Sequence, residues 1–195
     1  MAKGSPYERE ISRILSLWVS DNERDDTVWR SQTSGARAKT RSKKGLTLEG
    51  QYGDLASTAD ISKALFDICT FELKRGYKKW SFLDILDKSE RGAQQTFEGF
   101  VEQVCEDAEL SSREPVLICR RDKRNSVIVI RKSFYLSMED YHGSIGNVRY
   151  ITINLNDDKE PWIAFRLEEF LDWCNPTFFE YLILLKNKRR GRKRR

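Results

Sequence analysis

Tyr7, Ile11, Ile14, Leu15 and Trp18 recur every three or four positions, and this spacing predicts an amphipathic helix over residues 6–19. Ser5 stands where an N-cap belongs, Pro6 fits the first turn, and Glu8 follows Ser5 at capping-box spacing. A polar turn over 20–26 leads to a short extended piece, Thr27-Val28-Trp29-Arg30. Apolar periodicity then stops until Leu55, and the residues through Ala64 read as a turn region. Leu65 to Lys74 is dense in apolar and β-favouring residues at the length of one strand. Lys78 to Asp87 reads as a loop entering a short helix. Phe97, Phe100, Val101, Val104, Cys105 and Ala108 predict a helix over 90–109. Pro115–Arg120 and Ser126–Arg131 flank a short polar connection and read as a hairpin. Val148–Leu155 and Trp162–Leu167 repeat that pattern around an Asn-Asp-Asp-Lys turn. A last helix, Glu168–Trp173, stops before Asn175-Pro176, and an apolar segment, Phe178–Leu185, follows. Strands interleaved with helices in this order predict an α/β class, a mixed β-sheet flanked by helices.

Composition changes this picture in two places. The net charge of +5 is unevenly spread: the last ten residues hold eight Lys or Arg, and without them 27 basic residues face 30 acidic ones. A second basic run lies inside the chain, where Arg37, Lys39, Arg41, Lys43 and Lys44 stand among small and polar residues. Charge clustered in a tail and a loop points to phosphate binding more than an evenly basic surface would. We expect 36–50 to be a basic, phosphate-facing loop and 186–195 a disordered basic tail. The single histidine, His142, disfavours an HNH nuclease, a zinc finger and a Ser-His-Asp hydrolase. Cys69, Cys105, Cys119 and Cys174 are widely spaced in apolar segments and read as reduced core residues of a cytoplasmic protein. No apolar run approaches the roughly 18 residues of a membrane span.

The candidate chemistry starts from Glu72-Leu73-Lys74. Residues two apart in a strand share a face, so a carboxylate and an ammonium lie side by side on an otherwise apolar strand. Asp54, after Gly53, offers a second carboxylate, and Glu8 or Glu10 on the first helix a third. Asp54 and Glu72 on neighbouring strands can share a hard cation such as Mg²⁺, with waters and phosphate oxygens completing its shell. Lys74 can then orient the attacking water or offset developing charge. Asp67, five residues before Glu72, falls on the other face of a regular strand and is left out. Helix geometry does not choose between Glu8 and Glu10.

At these residues the chain resembles the PD-(D/E)XK nuclease superfamily, and within it archaeal-type Holliday-junction resolvases and related phage endonucleases. The matching segments occur in the family's order: Lys3-Gly4-Ser5-Pro6-Tyr7-Glu8-Arg9-Glu10, Arg30-Ser31-Gln32-Thr33-Ser34-Gly35, Gly53-Asp54-Leu55 and Phe71-Glu72-Leu73-Lys74. The resemblance implies a restriction-endonuclease-like fold over 1–132; residues 133–185 have no counterpart in that small core, and we expect them to form a C-terminal α+β extension packed on it. It selects Glu8 over Glu10 and makes Glu8, Asp54, Glu72 and Lys74 the catalytic set. Asp54, Glu72 and Glu8 become the metal ligands. It places Ser34 on a mobile substrate-side loop, where with Arg30, Arg37, Lys39, Arg41, Lys43, Lys44 and Arg75 it would meet DNA. An amide on the next helix commonly assists in this family, and Gln103 or Gln94 can serve. The implied activity is a Mg²⁺- or Mn²⁺-dependent endodeoxyribonuclease, structure-specific after the manner of junction resolvases and working as a homodimer. The alternative is a DNA-binding accessory protein on the same fold that does not cut.

Overall fold

The computed structural model describes residues 5–31, 52–76, 80–87, 96–155 and 160–192. Its elements in chain order are α1 (Ser5–Val19), β1 (Val28–Arg30), β2 (Leu55–Ser57), α2 (Asp60–Ile68), β3 (Cys69–Arg75), α3 (Asp84–Asp87), α4 (Phe97–Ser111), β4 (Glu114–Arg120), β5 (Val127–Arg131), α5 (Lys132–His142), β6 (Tyr150–Ile153), β7 (Trp162–Arg166), α6 (Leu167–Trp173) and α7 (Thr177–Arg192). Five strands form one sheet in the order β3-β4-β5-β7-β6. The β3–β4 pair is parallel and the others are antiparallel. β1 and β2 form a separate antiparallel pair. This is the expected α/β architecture, a mixed sheet flanked by helices in the manner of restriction endonucleases.

Side-chain alternation divides the core between the two sheet faces. Cys69, Phe71 and Leu73 of β3, with Val116, Ile118, Ile128, Ile130, Ile163 and Phe165, enter the larger cluster. That cluster is closed by Tyr7, Ile11 and Leu15 of α1 together with apolar residues of α2, α5, α6 and the start of α7. The three α1 residues recur every four positions and are almost fully buried, each contributing roughly 1.5–3 kcal/mol by leaving water. The opposite face is smaller. Phe97, Phe100, Val101 and Val104 of α4, with Trp80, cover Leu117, Cys119, Val129, Trp162 and Ala164. Thr70, Glu72 and Lys74 of β3 alternate with the residues of the larger cluster and so belong to this α4 side.

Several elements differ from the expectation. The strand does not begin at Leu65: residues 60–68 are helical, and the chain turns extended only at Cys69. Phe66 and Ile68 are therefore buried on α2 and not part of a strand. Asp67 is set apart by that helix, where it pairs with Lys63 one turn away, and not by strand parity. α5 was not expected at all. The helix after Asn175-Pro176 runs from Thr177 to Arg192, so the basic run is helical through Arg192 and not irregular from 186. Residues 133–185 are woven into the sheet: β7 pairs with β5 along its length and carries β6 on its outer side. A boundary at 132 thus falls inside one hydrogen-bonded layer.

Candidate active site

β3 is an edge strand of the main sheet, so its outer backbone groups need partners. Gly53-Asp54 supplies them. The Asp54 N–H donates to the Phe71 carbonyl at 2.8 Å, and the Leu73 N–H donates to Asp54 Oδ2 at 2.8 Å. Gly53 has φ +79°, and a Cβ there would lie 2.5 Å from the Phe71 oxygen. Only glycine lets the backbone come this close with that dihedral. On its other side the Asp54 carbonyl accepts from the Ser31 N–H at 2.8 Å, just after β1. Asp54 is thereby fixed between the β1–β2 pair and the edge of β3.

Glu72 and Lys74 point to the α4 side and are nearly closed off from water, at 2 % and 9 % exposure. Lys74 Nζ lies 2.5 Å from Glu72 Oε1. Gln103, on the inward face of α4, joins both: its Nε2 donates to Glu72 Oε1 at 2.6 Å and its Oε1 accepts from Lys74 Nζ at 2.8 Å. The ammonium also sits 5.5 Å from the centre of the Phe100 ring. Three side chains from two elements thus form a closed triangle, which fixes the lysine in position.

The carboxylates carry more negative charge than the single buried lysine offsets. Burial pushes the Glu72 carboxyl up to about 7, the Asp54 charge pushes the same way, and Lys74 opposes both. Burial pushes Asp54 up to about 6, Glu8 adds to this, and the Leu73 N–H works against it. Asp107, buried on α4 one turn beyond Gln103, raises both acids further. Asp107 was not among the acids expected at the site. Its signal was the four-residue spacing from Gln103, which puts both on one helix face.

Glu8 and Glu10 separate clearly. Glu10 is held by Arg120, whose two guanidinium nitrogens approach its two oxygens at 2.5 Å each, and Arg75 lies 3.7 Å away. Arg120 also stacks on Tyr7, 4.7 Å from the ring centre. Glu10 therefore ties α1 to the ends of β3 and β4. Glu8 is half-buried beside Arg30, with which it forms an ion pair, and its charge reaches Asp54. Of the residues expected to meet DNA, Arg30 lies against Glu8 and Arg75 against Glu10 and Tyr7. Ser34, Arg37, Lys39, Arg41, Lys43 and Lys44, and the alternative amide Gln94, lie outside the described residues.

The donor set suits a hard cation. It consists of carboxylate oxygens held at ordinary neutral pH near their titration point by burial and mutual repulsion, which a divalent ion would relieve. Among the described residues no three His, Cys, Asp or Glu side chains converge closely enough to enclose a metal by themselves. Asp54 and Glu72 would therefore share the ion with water and substrate oxygens, as Mg²⁺ sites commonly do.

A family model described as "Phage putative PDDEXK endonuclease" matches residues 1–180. No curated protein and no solved structure matches the chain.

Proposed function

The chain belongs to the phage PDDEXK endonuclease family, and from that premise we propose that it is a divalent-metal-dependent endodeoxyribonuclease hydrolysing phosphodiester bonds. The observation that carries this reading is the buried Glu72–Lys74–Gln103 triangle set beside an aspartate clamped to the same strand edge. An ion pair kept only for stability has little reason to be buried next to further acids, because desolvation costs as much as the pairing returns. Asp54 and Glu72 are the residues that would hold Mg²⁺ or Mn²⁺, with Glu8 reaching the ion through a water. When bound, the cation supplies charge neutralisation at the scissile phosphate and a more acidic water. Lys74, held by Glu72 and Gln103, orients the attacking water and offsets the charge that builds on the phosphate. Gln103 contributes by fixing Lys74 and Glu72 relative to one another. Arg30, Arg75 and the basic run from Arg37 to Lys44, with Ser34, are assigned to the DNA backbone.

The finer reading follows the resemblance to junction resolvases: a branched DNA substrate, cut by a homodimer whose two-fold axis matches the two-fold symmetry of a four-way junction. A supercoiled-plasmid nicking assay with Mg²⁺ and with Mn²⁺ tests the core of the proposal. Wild type is expected to nick, and Asp54→Ala and Lys74→Ala are each expected to lose on the order of 10²–10³-fold in rate. Cleavage that survives both substitutions overturns the assignment. A wild type that binds DNA with a steep salt dependence but leaves the plasmid intact would establish the non-cleaving alternative. Four-way junction and linear duplex of the same sequence, compared side by side, test the branched preference; equal rates would remove it.

A further inference from the structure

Trp29 is unlike the other tryptophans of the chain. Trp80 and Trp162 are buried. Trp18 and Trp173 are half-buried, and their indole N–H groups donate to the backbone carbonyls of Leu171 and Cys174 and of Gly143. Trp29 is 51 % exposed and makes no hydrogen bond and no ring contact among the described residues. A single exposed apolar residue is ordinary by itself. What sets this one apart is where the strand holds it.

β1 pairs with β2 in the register Val28↔Ser57, Trp29↔Ala56 and Arg30↔Leu55. The Ser31 N–H, donating to the Asp54 carbonyl, continues that register by one more pair. Asp54 is therefore the diagonal neighbour of Trp29, two residues before Ala56 on the facing chain. Diagonal neighbours lie about 7–8 Å apart on one face, within reach of an aromatic side chain. Burial agrees with this parity. Val28 and Leu55 turn into the larger core cluster, whereas Trp29 is exposed and Ala56 and Asp54 are half-buried. Ala56, directly opposite, is too small to cover an indole. The strand is also held firmly. The Val28 N–H donates to Ser16 Oγ of α1 at 2.8 Å, and the Thr27 carbonyl accepts from Ser62 Oγ of α2 at 2.6 Å and from the Thr58 N–H at 2.9 Å. Arg30, next along the strand, pairs with Glu8. A half-open aromatic ring is thus presented on a fixed backbone beside the carboxylates assigned to the metal.

We infer that Trp29 is a stacking platform for an unpaired nucleobase next to the phosphate that is cut. The geometry and the chemistry of the ring select this occupant. A flat apolar ring with an uncovered face accepts another flat ring, and every nucleobase has such a face. A phosphate reacting at Asp54 sets how far away that ring must lie, and a nucleotide spans this separation between its phosphate and its base. In continuous duplex both faces of each base are covered by neighbouring bases, so reaching Trp29 would require unstacking. The platform therefore favours DNA with unpaired bases at the cleavage position, such as a single strand, a flap or a branch point, over continuous duplex. The inference rests on the nuclease reading for its location, since it takes Asp54 as the place where the reacting phosphate sits.

The test is fluorescence anisotropy of a labelled single-stranded oligonucleotide with the full chain in EDTA, so that binding is read without cutting. Trp29→Ala is expected to weaken binding about ten-fold, within the range for losing one base–aromatic stack. The slope of affinity against salt is expected to stay as in wild type, because stacking releases no counterions. Trp29→Phe, which keeps a ring, is expected to bind within about three-fold of wild type and to lose the share of tryptophan quenching that Trp29 supplies on binding. On a blunt duplex of the same sequence, and on an abasic oligomer that keeps the phosphates, Trp29→Ala and wild type are expected to bind alike. The inference is overturned if Trp29→Ala binds the single strand like wild type, or if Trp29→Phe binds as weakly as Trp29→Ala. An equal loss on the abasic oligomer also overturns it, since the ring would then serve the backbone or the fold and not a base. Should Trp29→Ala fail to fold, equal quenching in wild type and Trp29→Phe overturns it alone. The two readings fail separately. Loss of the stacking inference leaves wild-type nicking and its dependence on Asp54 intact, whereas a wild type that does not nick leaves oligonucleotide binding in EDTA still sensitive to Trp29.

Discussion

The two faces of β3 serve opposite ends. On one, Cys69, Phe71 and Leu73 enter an apolar cluster closed by four helices beyond α1. On the other, Thr70, Glu72 and Lys74 meet α4 through polar contacts: Thr70 with Ser111 at 2.9 Å, Glu72 and Lys74 with Gln103. Both faces are buried along the strand from Cys69 to Lys74. The difference is chemical, not one of exposure. The apolar face gains free energy from leaving water. The polar face gives up hydration and recovers only part of it through hydrogen bonds. A strand that accepts this on one side needs a large stabilising core on the other, and the unequal size of the two clusters fits that demand.

The comparison can be broken most forcefully from the apolar side. Phe71→Ala is expected to cost about 3–5 kcal/mol of unfolding free energy, as for other buried aromatics, read as a fall in the urea midpoint at unchanged slope. Glu72→Gln, its neighbour on the other face, is expected to leave the midpoint at or above wild type at neutral pH while abolishing nicking. If both substitutions destabilise equally, the division of labour between the faces is wrong. Gly53→Ala probes the strand edge where the faces meet. The strained dihedral alone costs on the order of 1–3 kcal/mol, and the 2.5 Å approach to the Phe71 oxygen forces the backbone apart. That displacement carries the Asp54 carboxylate off the Leu73 N–H. Activity is therefore expected to fall more than stability, measured as nicking rate beside the thermal midpoint.

The site was legible in the sequence where its geometry is local. Glu72 and Lys74 sit two apart on a strand, and that alone puts them on one face. Asp54 after Gly53 was legible as a second carboxylate, whereas the close approach of Gly53 to the Phe71 oxygen emerges only from the fold. Glu8 and Glu10 could not be told apart from helix geometry, because the residue that engages Glu10 is Arg120, 110 positions away. The missed helices share a cause. α2 and α5 open at Ala59 and Arg131, neither of which caps through its side chain, and each adjoins a strand with no turn residue between them. The stop and start signals that ordinarily mark such boundaries are missing. In α2 the Ile61, Ala64, Leu65 and Ile68 spacing was present, but the β-favouring run into Phe71 concealed it. α7 is apolar in its first half and basic in its second, so no single periodicity runs its length. That β7 would lie between β5 and β6 is set by long-range pairing alone.

The raised carboxyls give the central claim a signature in stability. Glu72 at about 7 and Asp54 at about 6 hold protons in the folded protein that the unfolded chain releases near 4. Their stabilising contribution is complete below the unfolded value and is lost as pH rises through about 6 to 7. The most direct measurement is therefore the thermal midpoint of wild type and of the double variant Asp54→Asn with Glu72→Gln, at about pH 5 and about pH 8, with and without millimolar Mn²⁺. The midpoint moves on the order of 2–4 °C per kcal/mol for a chain of this size. Without metal, wild type is expected to lose several degrees between the two pH values while the amide variant changes less. Mn²⁺ is expected to restore wild type at the higher pH and to leave the variant where it was. An equal response to Mn²⁺ in both proteins, or the same pH dependence in both, would contradict a shared cation site built from Asp54 and Glu72.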